Sequence, residues 1–220
     1  RSILPLPCIM NPGGDTSKFP PHPYGVPGAQ TVLAIDKVRY IGEFVAVVVA
    51  QTRQQAYDAL AGISVDYEPL PVIVNAEEAL NPDAPQLHDT IPGNLNQYNG
   101  YGDKEATAQA LANAEVVVKQ RIYFPRLIHN AVETRGTIGD YNSQTEEYTL
   151  WTNTQIPHGN RFLLSQLVMG IPYNKLRVIV PHMGGSFGSK GYLYADTALV
   201  LFLAKELGRP IKWIDTRTGL

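Results

Sequence analysis

The sequence predicts an α+β chain, and three observations carry that expectation. The run Phe44-Val-Ala-Val-Val-Val-Ala50 is continuously apolar and rich in β-branched residues, as in a strand buried on both faces. Residues 158–169 and 193–207 have helical length, and each is followed by a Gly-then-Pro stop signal, Gly170 with Pro172 and Gly208 with Pro210. Short strand-like runs at 116–124, 131–141 and 147–153 lie in the second half of the chain. The 220 residues are 44% hydrophobic and 17% charged, a balance that builds a core and is not that of a disordered chain.

Residues 1–31 are punctuated by Pro5, Pro7, Pro12, Gly13, Gly14, Pro20, Pro21, Pro23 and Pro27, and read as irregular chain lying over other structure. Order begins near Val32. Residues 38–50 read as two strands around Gly42 and Glu43. A helix follows, because Thr52 and Gln55 have capping-box spacing. Ala56, Ala59, Leu60 and Ile63 form its apolar stripe, and Gly62 is expected to end it with a positive φ. A strand at 63–67, an extended segment at 69–74 and a helical turn at 76–80 complete a β-α-β unit. Residues 82–101 read as loop. The second unit opens with a helix at 104–113, followed by the three strand-like runs and the helix at 158–169. A strand at 176–180 leads into the loop 183–191, then the helix 193–207. That helix is apolar all round and should be buried. A strand at 211–214 ends the chain.

Composition excludes several roles. The net charge of −2 gives no basic face for nucleic acid. Cys8 is the single cysteine, which excludes an internal disulfide and a cysteine-rich zinc or iron–sulfur site, and fits a reducing, cytoplasmic compartment. The longest apolar run, 195–204, is far short of the roughly 20 residues of a membrane span. The five histidines (His22, His88, His129, His158, His182) show no metal-ligand spacing. The chain starts at Arg1 and not Met, as expected for a piece of a longer protein.

Chemistry concentrates in residues 184–191, Gly-Gly-Ser-Phe-Gly-Ser-Lys-Gly. Four glycines let backbone amides approach a ligand closely, and the following helix would add free N–H donors. The same glycines serve equally in a sharp turn. Two nucleotide cradles fail: a Walker loop needs Gly where Ser189 stands, and no three glycines have the dinucleotide spacing. Lys190 is open between meeting a ligand oxygen and standing solvated at a helix start. On these grounds a non-catalytic nucleotide- or anion-binding module, or a purely structural α+β module, stays an alternative.

The stretch Asn153-Thr-Gln155, followed by Arg177-Val-Ile-Val-Pro-His-Met-Gly-Gly-Ser-Phe-Gly-Ser-Lys190, resembles the molybdopterin-binding region of the molybdenum hydroxylase (xanthine oxidase) family. That family's pattern is Thr-Gln or Ser-Gln at a strand end and, about 30 residues on, Gly-Gly-Gly-Phe-Gly-x-Lys. Here Ser186 replaces the third glycine. Arg39-Tyr-Ile-Gly-Glu-Phe-Val-Ala-Val-Val-Val-Ala50, Val65-Asp-Tyr-Glu-Pro-Leu-Pro71, Ala131-Val-Glu-Thr-Arg-Gly136 and Gly208-Arg-Pro-Ile-Lys-Trp213 match further blocks, so the resemblance runs from about Val32 to the end.

The resemblance implies the later part of an α/β-hammerhead domain at 1–88 and the first part of the molybdenum-cofactor-binding domain at 89–220. It implies that Gln155 donates to the apical oxo ligand of molybdenum, a neutral donor that steadies an anionic oxygen without titrating. The Phe187 N–H would lie near the same oxygen. Gly185, Ser186 and Gly188 would line the dithiolene and pyranopterin. The cofactor would be molybdopterin in its cytosine dinucleotide form. Partners would be an iron–sulfur subunit with 2Fe-2S clusters, an FAD subunit and the rest of the molybdenum subunit, in an oligomer of heterotrimers. The parent enzyme would use water to hydroxylate an aldehyde or heteroaromatic carbon, or to oxidise CO. The family's catalytic glutamate lies beyond Leu220, so no catalytic residue is expected in this stretch and the piece alone would be inactive. Glu133 is read as structural, paired with Arg135 or Arg161. His158 and His182 are expected near the cofactor, as supporting groups or ordinary polar histidines. Purine-hydroxylating members carry a glutamate after the loop lysine; Gly191 stands there, which resembles the carbon monoxide dehydrogenase and aldehyde dehydrogenase-like branch, as does Thr154-Gln-Ile-Pro-His158.

Overall fold

The computed structural model describes residues 31–89, 91–95 and 100–219. The expectation for residues 1–30 lies outside the described residues. In the first half, α1 (Arg53–Leu60) starts where the capping box predicts. Thr52 Oγ1 accepts from the Gln55 N–H at 3.2 Å, and Gln55 Oε1 accepts from the Thr52 N–H at 3.1 Å. The helix ends without a left-handed glycine: Ala61 is right-handed and Gly62 is not among the positive-φ residues. Helix α2 (Lys104–Ala112) is capped by Asp103, whose carboxylate accepts from the Ala106 N–H at 2.9 Å. Neither helix buries a residue.

The core belongs to the second half. Strands β1 (Gly136–Asn142) and β2 (Glu147–Thr152) pair antiparallel through a tight turn. Strand β3 (Leu176–Ile179) adds parallel to β2, and β4 (Ile211–Ile214) adds antiparallel to β1, giving the order β3-β2-β1-β4. Along β2 the buried residues alternate, Tyr148, Leu150 and Thr152, as the pleat requires. Helix α4 (Ala195–Leu207) crosses this face and buries Ala198, Leu199, Val200, Leu201 and Ala204. Leu150, Leu164, Leu176 and Leu201 are fully buried, each stabilising the fold by roughly 1.5–3 kcal/mol. Val32 is buried in the same core, and Phe44 packs its ring 6.3 Å from that of Trp213, so the start of the described chain docks here too. Gly208, with φ 62, ends α4 as its Gly–Pro signal predicts.

Five expected stretches differ. Residues 38–50, 63–67 and 116–124 form no ladder, so the β-α-β unit reduces to α1 and extended chain. An apolar period states which side chains favour burial, but a strand also needs a bonding neighbour. Val116, Val118, Ile122 and Phe124 stay exposed, with no neighbour covering them among the described residues. The run 131–141 becomes a strand only from Gly136, because the residues before it turn away to make side-chain contacts. The helix expected at 158–169 divides into α3 (Pro157–Phe162) and a π-helical turn, Leu163–Val168, closed by Met169 N–H donating to the Leu164 carbonyl at 2.8 Å. Gly170, φ 62, then stops it.

Close approach of α4 to β1 requires Gly139. A Cβ there would meet the backbone of Val200 at 2.7 Å. Gly139→Ala is expected to force sheet and helix apart and destabilise by about 1–3 kcal/mol, read as a lower thermal midpoint in the protein that carries this chain.

Candidate functional site

The sheet brings four segments to one end. Because β2 and β3 are parallel, the chain leaving each emerges at the same edge, as residues 153–156 and 180–194. Because β1 and β4 run the other way from each other, the entry to β1 (131–135) and the exit from β4 (215–217) meet there as well.

Arg135 joins these segments. Its guanidinium donates to Asp196 Oδ2 and to Asp215 Oδ2, both at 2.8 Å, and lies 3.6 Å over the Tyr194 ring and 5.2 Å from that of Trp213. All three charged groups are largely buried. Burial pushes the Asp196 carboxyl up to about 6, with Arg135 opposing the shift. Sequence reasoning missed this cluster. The available signal was an acid in the first turn of an otherwise apolar helix. Helix α4 starts at Ala195, with Asp196 in its first turn and the Asp196 carboxylate bonded to Arg135.

The loop is held at both ends by Glu133. Its carboxylate accepts from the Gly184 N–H at 2.9 Å and from Lys190 Nζ at 2.7 Å, and its own N–H donates to the Gly184 carbonyl at 3.1 Å. Neither Arg135 nor Arg161 is its partner. Arg161 instead donates to the carbonyls of Leu176 and Tyr173. Lys190 is 2% exposed, so it is neither a solvated lysine nor a free ligand group. Burial raises the Glu133 pKa, but the hydrogen bonds from Lys190 and Gly184 outweigh it and leave the carboxyl below its ordinary value of 4.5. A Cβ at Gly184 would meet Glu133 Cβ at 2.7 Å, so only glycine admits this clamp.

On the strand side, Asn153 accepts from the Gly136 N–H and donates to the Thr134 carbonyl. The Gln155 N–H and the Thr154 hydroxyl both donate to the Lys190 carbonyl at 3.0 Å. Thr154 Oγ1 in turn accepts from Asn160 Nδ2 at 2.9 Å.

These anchors bring the predicted residues together. Gln155 Oε1 accepts a hydrogen bond from the Ser186 hydroxyl, whose oxygen accepts from the Lys190 N–H at 3.1 Å. Gly185 and Gly188 have φ of 93 and 96, and Phe187, 74% exposed, has φ 52. A non-glycine residue held there is strained backbone of the kind concentrated at ligand sites. Gly188 lies against His129, where a Cβ would be 3.5 Å from Nε2; sequence reasoning did not single out that histidine. His182 is exposed. His158 lines a separate cleft of about 440 Å3 with Arg161, Lys175 and Arg177, away from the loop.

The donor set fits an anionic oxygen-bearing group. The backbone N–H groups of Gly185, Ser186, Phe187 and Gly188 donate to no described residue, whereas those of Gly184, Ser189, Lys190 and Gly191 are all bonded. Four consecutive amides with no described partner, bounded by bonded ones, are donors of the kind that suit an anion. Among the described residues, no three His, Cys, Asp or Glu side chains gather as a metal site, and no helix is long and apolar enough to cross a membrane.

The chain belongs to the molybdenum hydroxylase family that includes aldehyde oxidase and xanthine dehydrogenase: residues 87–219 match the molybdopterin cofactor-binding domain, and residues 15–71 match the a/b hammerhead domain of aldehyde oxidase and xanthine dehydrogenase. It is 35% identical to the carbon monoxide dehydrogenase large chain of Hydrogenophaga pseudoflava, over 84% of this chain and 24% of the relative. Quinoline 2-oxidoreductase from Pseudomonas putida 86 matches it in structure with TM-score 0.77 and 36% identity, over 87% of this chain and 24% of that one. Reconstituted CO dehydrogenase from Oligotropha carboxidovorans matches with TM-score 0.78 and 36% identity, over 86% and 25%. The chain thus spans about a quarter of the length of these relatives. An α/β-hammerhead stretch followed by a molybdenum-cofactor-binding domain is the order read from the sequence.

Two outcomes are expected from the anchors. Arg135→Ala leaves two buried carboxylates without their cation and should cost roughly 3–5 kcal/mol, read by thermal or denaturant unfolding. Glu133→Gln should lower the thermal midpoint at pH 7. Folding lowers the Glu133 pKa, so its contribution is complete above the unfolded value and fades as pH falls through the folded one; wild type and variant should converge in acid, once Glu133 is protonated in the folded protein as well.

Proposed function

We propose that this chain supplies the glutamine and glycine-loop side of the molybdenum-cofactor site in a larger oxidoreductase, which hydroxylates an aldehyde or heteroaromatic carbon or oxidises CO, with water as the oxygen source. The observation that carries the reading is the run of four unbonded amides at 185–188 beside Gln155, inside a matched cofactor-binding domain. In this reading Gln155 donates from its carboxamide nitrogen to an anionic oxygen of the cofactor. The Phe187 N–H donates beside it, and Gly185, Ser186 and Gly188 line the pterin side. When bound, the cofactor supplies the two-electron redox chemistry. The chain's own residues preorganise neutral donors, which stabilise negative charge without taking up a proton.

The same proposal includes molybdopterin in its cytosine dinucleotide form, and iron–sulfur and FAD subunits as electron carriers. The division is drawn at 1–88 and 89–220, supported by the separate matched stretches. Gly191 favours non-purine substrates. A Cβ there would lie 3.1 Å from the Gly188 carbonyl and 3.4 Å from Gln155 Oε1, so a glutamate side chain would crowd the Gln155 amide.

The test uses the full-length subunit from a host that makes the cofactor. Molybdenum and a pterin releasing cytidine monophosphate are expected. Gln155→Ala should keep the metal while lowering kcat by about 10-fold or more, as loss of an oxyanion donor does. A wild-type protein without molybdenum, or unchanged turnover in the variant, would sink the proposal.

A further inference from the structure

Carboxamides have no fixed polarity: a half-turn of the Gln155 amide exchanges a donor for an acceptor with little change in shape. A glutamine offered to an anion therefore works only if something selects one face. We infer that Ser186 is that selector, a positioning residue that holds the Gln155 amide with its oxygen inward and its NH2 free.

The argument rests on hydrogen-bond inventory. Ser186 is buried, 6% exposed, so its hydroxyl must find partners within the protein. Its oxygen accepts from the Lys190 N–H at 3.1 Å, and its proton goes to Gln155 Oε1. In the opposite amide orientation Ser186 Oγ would accept from both Lys190 and the Gln155 nitrogen, and the hydroxyl proton would have no partner among the described residues. Only one orientation satisfies the hydroxyl. Lys190 makes the selection rigid, because its Nζ is fixed on Glu133 and its carbonyl takes the Gln155 and Thr154 donors. With Oε1 committed to Ser186, both N–H bonds of Gln155 Nε2 remain without a described partner. Glycine at this position, as in the pattern Gly-Gly-Gly-Phe-Gly, would leave the amide free to turn its oxygen toward an anion, a repulsive arrangement.

This inference rests on the cofactor reading of the site, and the experiment separates the two. Ser186→Ala, Ser186→Thr, Gln155→Ala and the double variant Ser186→Ala/Gln155→Ala are made in the full-length subunit. Molybdenum and pterin content, kcat and KM are measured, and the structure of Ser186→Ala is determined. Ser186→Ala is expected to retain molybdenum, lose about 3- to 10-fold in kcat at unchanged KM, and show the Gln155 side chain turned or in two positions. Ser186→Thr, which keeps the hydroxyl, should restore turnover. In the Gln155→Ala background, Ser186→Ala should cost nothing more, since its effect acts through Gln155. Wild-type kcat in Ser186→Ala, additive losses in the double variant, or a Gln155 amide that stays in place would each overturn the inference. So would loss of molybdenum from Ser186→Ala alone, which would make the Ser186 hydroxyl itself, and not only its backbone, a cofactor contact. Absence of molybdenum from the wild type would sink the site reading instead, and the position of Gln155 in Ser186→Ala would still decide the inference.

Discussion

Arg135 ties together chain segments that the sequence holds up to 80 residues apart, and the geometry of the loop follows from that tie. One planar cation meets a carboxylate from the first turn of α4 and another from the exit of β4, with the Tyr194 and Trp213 rings on its faces. A guanidinium suits this place because its fork reaches two acids at once and its flat face stacks on aromatic rings. A lysine has neither property. Once α4 is fixed against the sheet in this way, the loop leading into it has a fixed exit.

The loop is then shaped by a second, smaller set of charges and amides. Glu133 closes its two ends through Gly184 and Lys190, and Thr154 and Gln155 hold the Lys190 carbonyl from the strand side. Nearly every donor at the loop's margins is committed to the protein. That leaves the amides of 185–188 as the free ones, and the positive φ values of Gly185, Phe187 and Gly188 curve the backbone that carries them. The set of amides left open here results from what the clamp satisfies as much as from the glycines.

Much of the local structure was legible. The Thr52 and Gln55 capping box and the Gly170 and Gly208 stops depend on residues close in sequence. So did the pairing of a Gln155 strand end with the glycine loop, because the ordered motifs are specific to a family. What was not legible needed distant partners. The runs at 38–50, 63–67 and 116–124 carry strand composition, yet no ladder forms, since hydrogen bonding depends on a neighbour that periodicity cannot name. Glu133 illustrates the same limit: its charge demanded a cation, and two nearby arginines were the local candidates, but the fold delivered Lys190, 57 residues away.

The sequence by itself determined the family, the order of its two domains and the residue types brought together at the candidate site. Those are properties of motifs, caps and composition, which need no knowledge of what lies across the fold. Only the tertiary structure decided that Lys190 is buried and spoken for, that Asp196 in the first turn of α4 pairs with Arg135, and that Ser186 bonds Gln155. Each depends on which groups the sheet topology brings to one edge, and burial there makes every polar atom find a partner within reach.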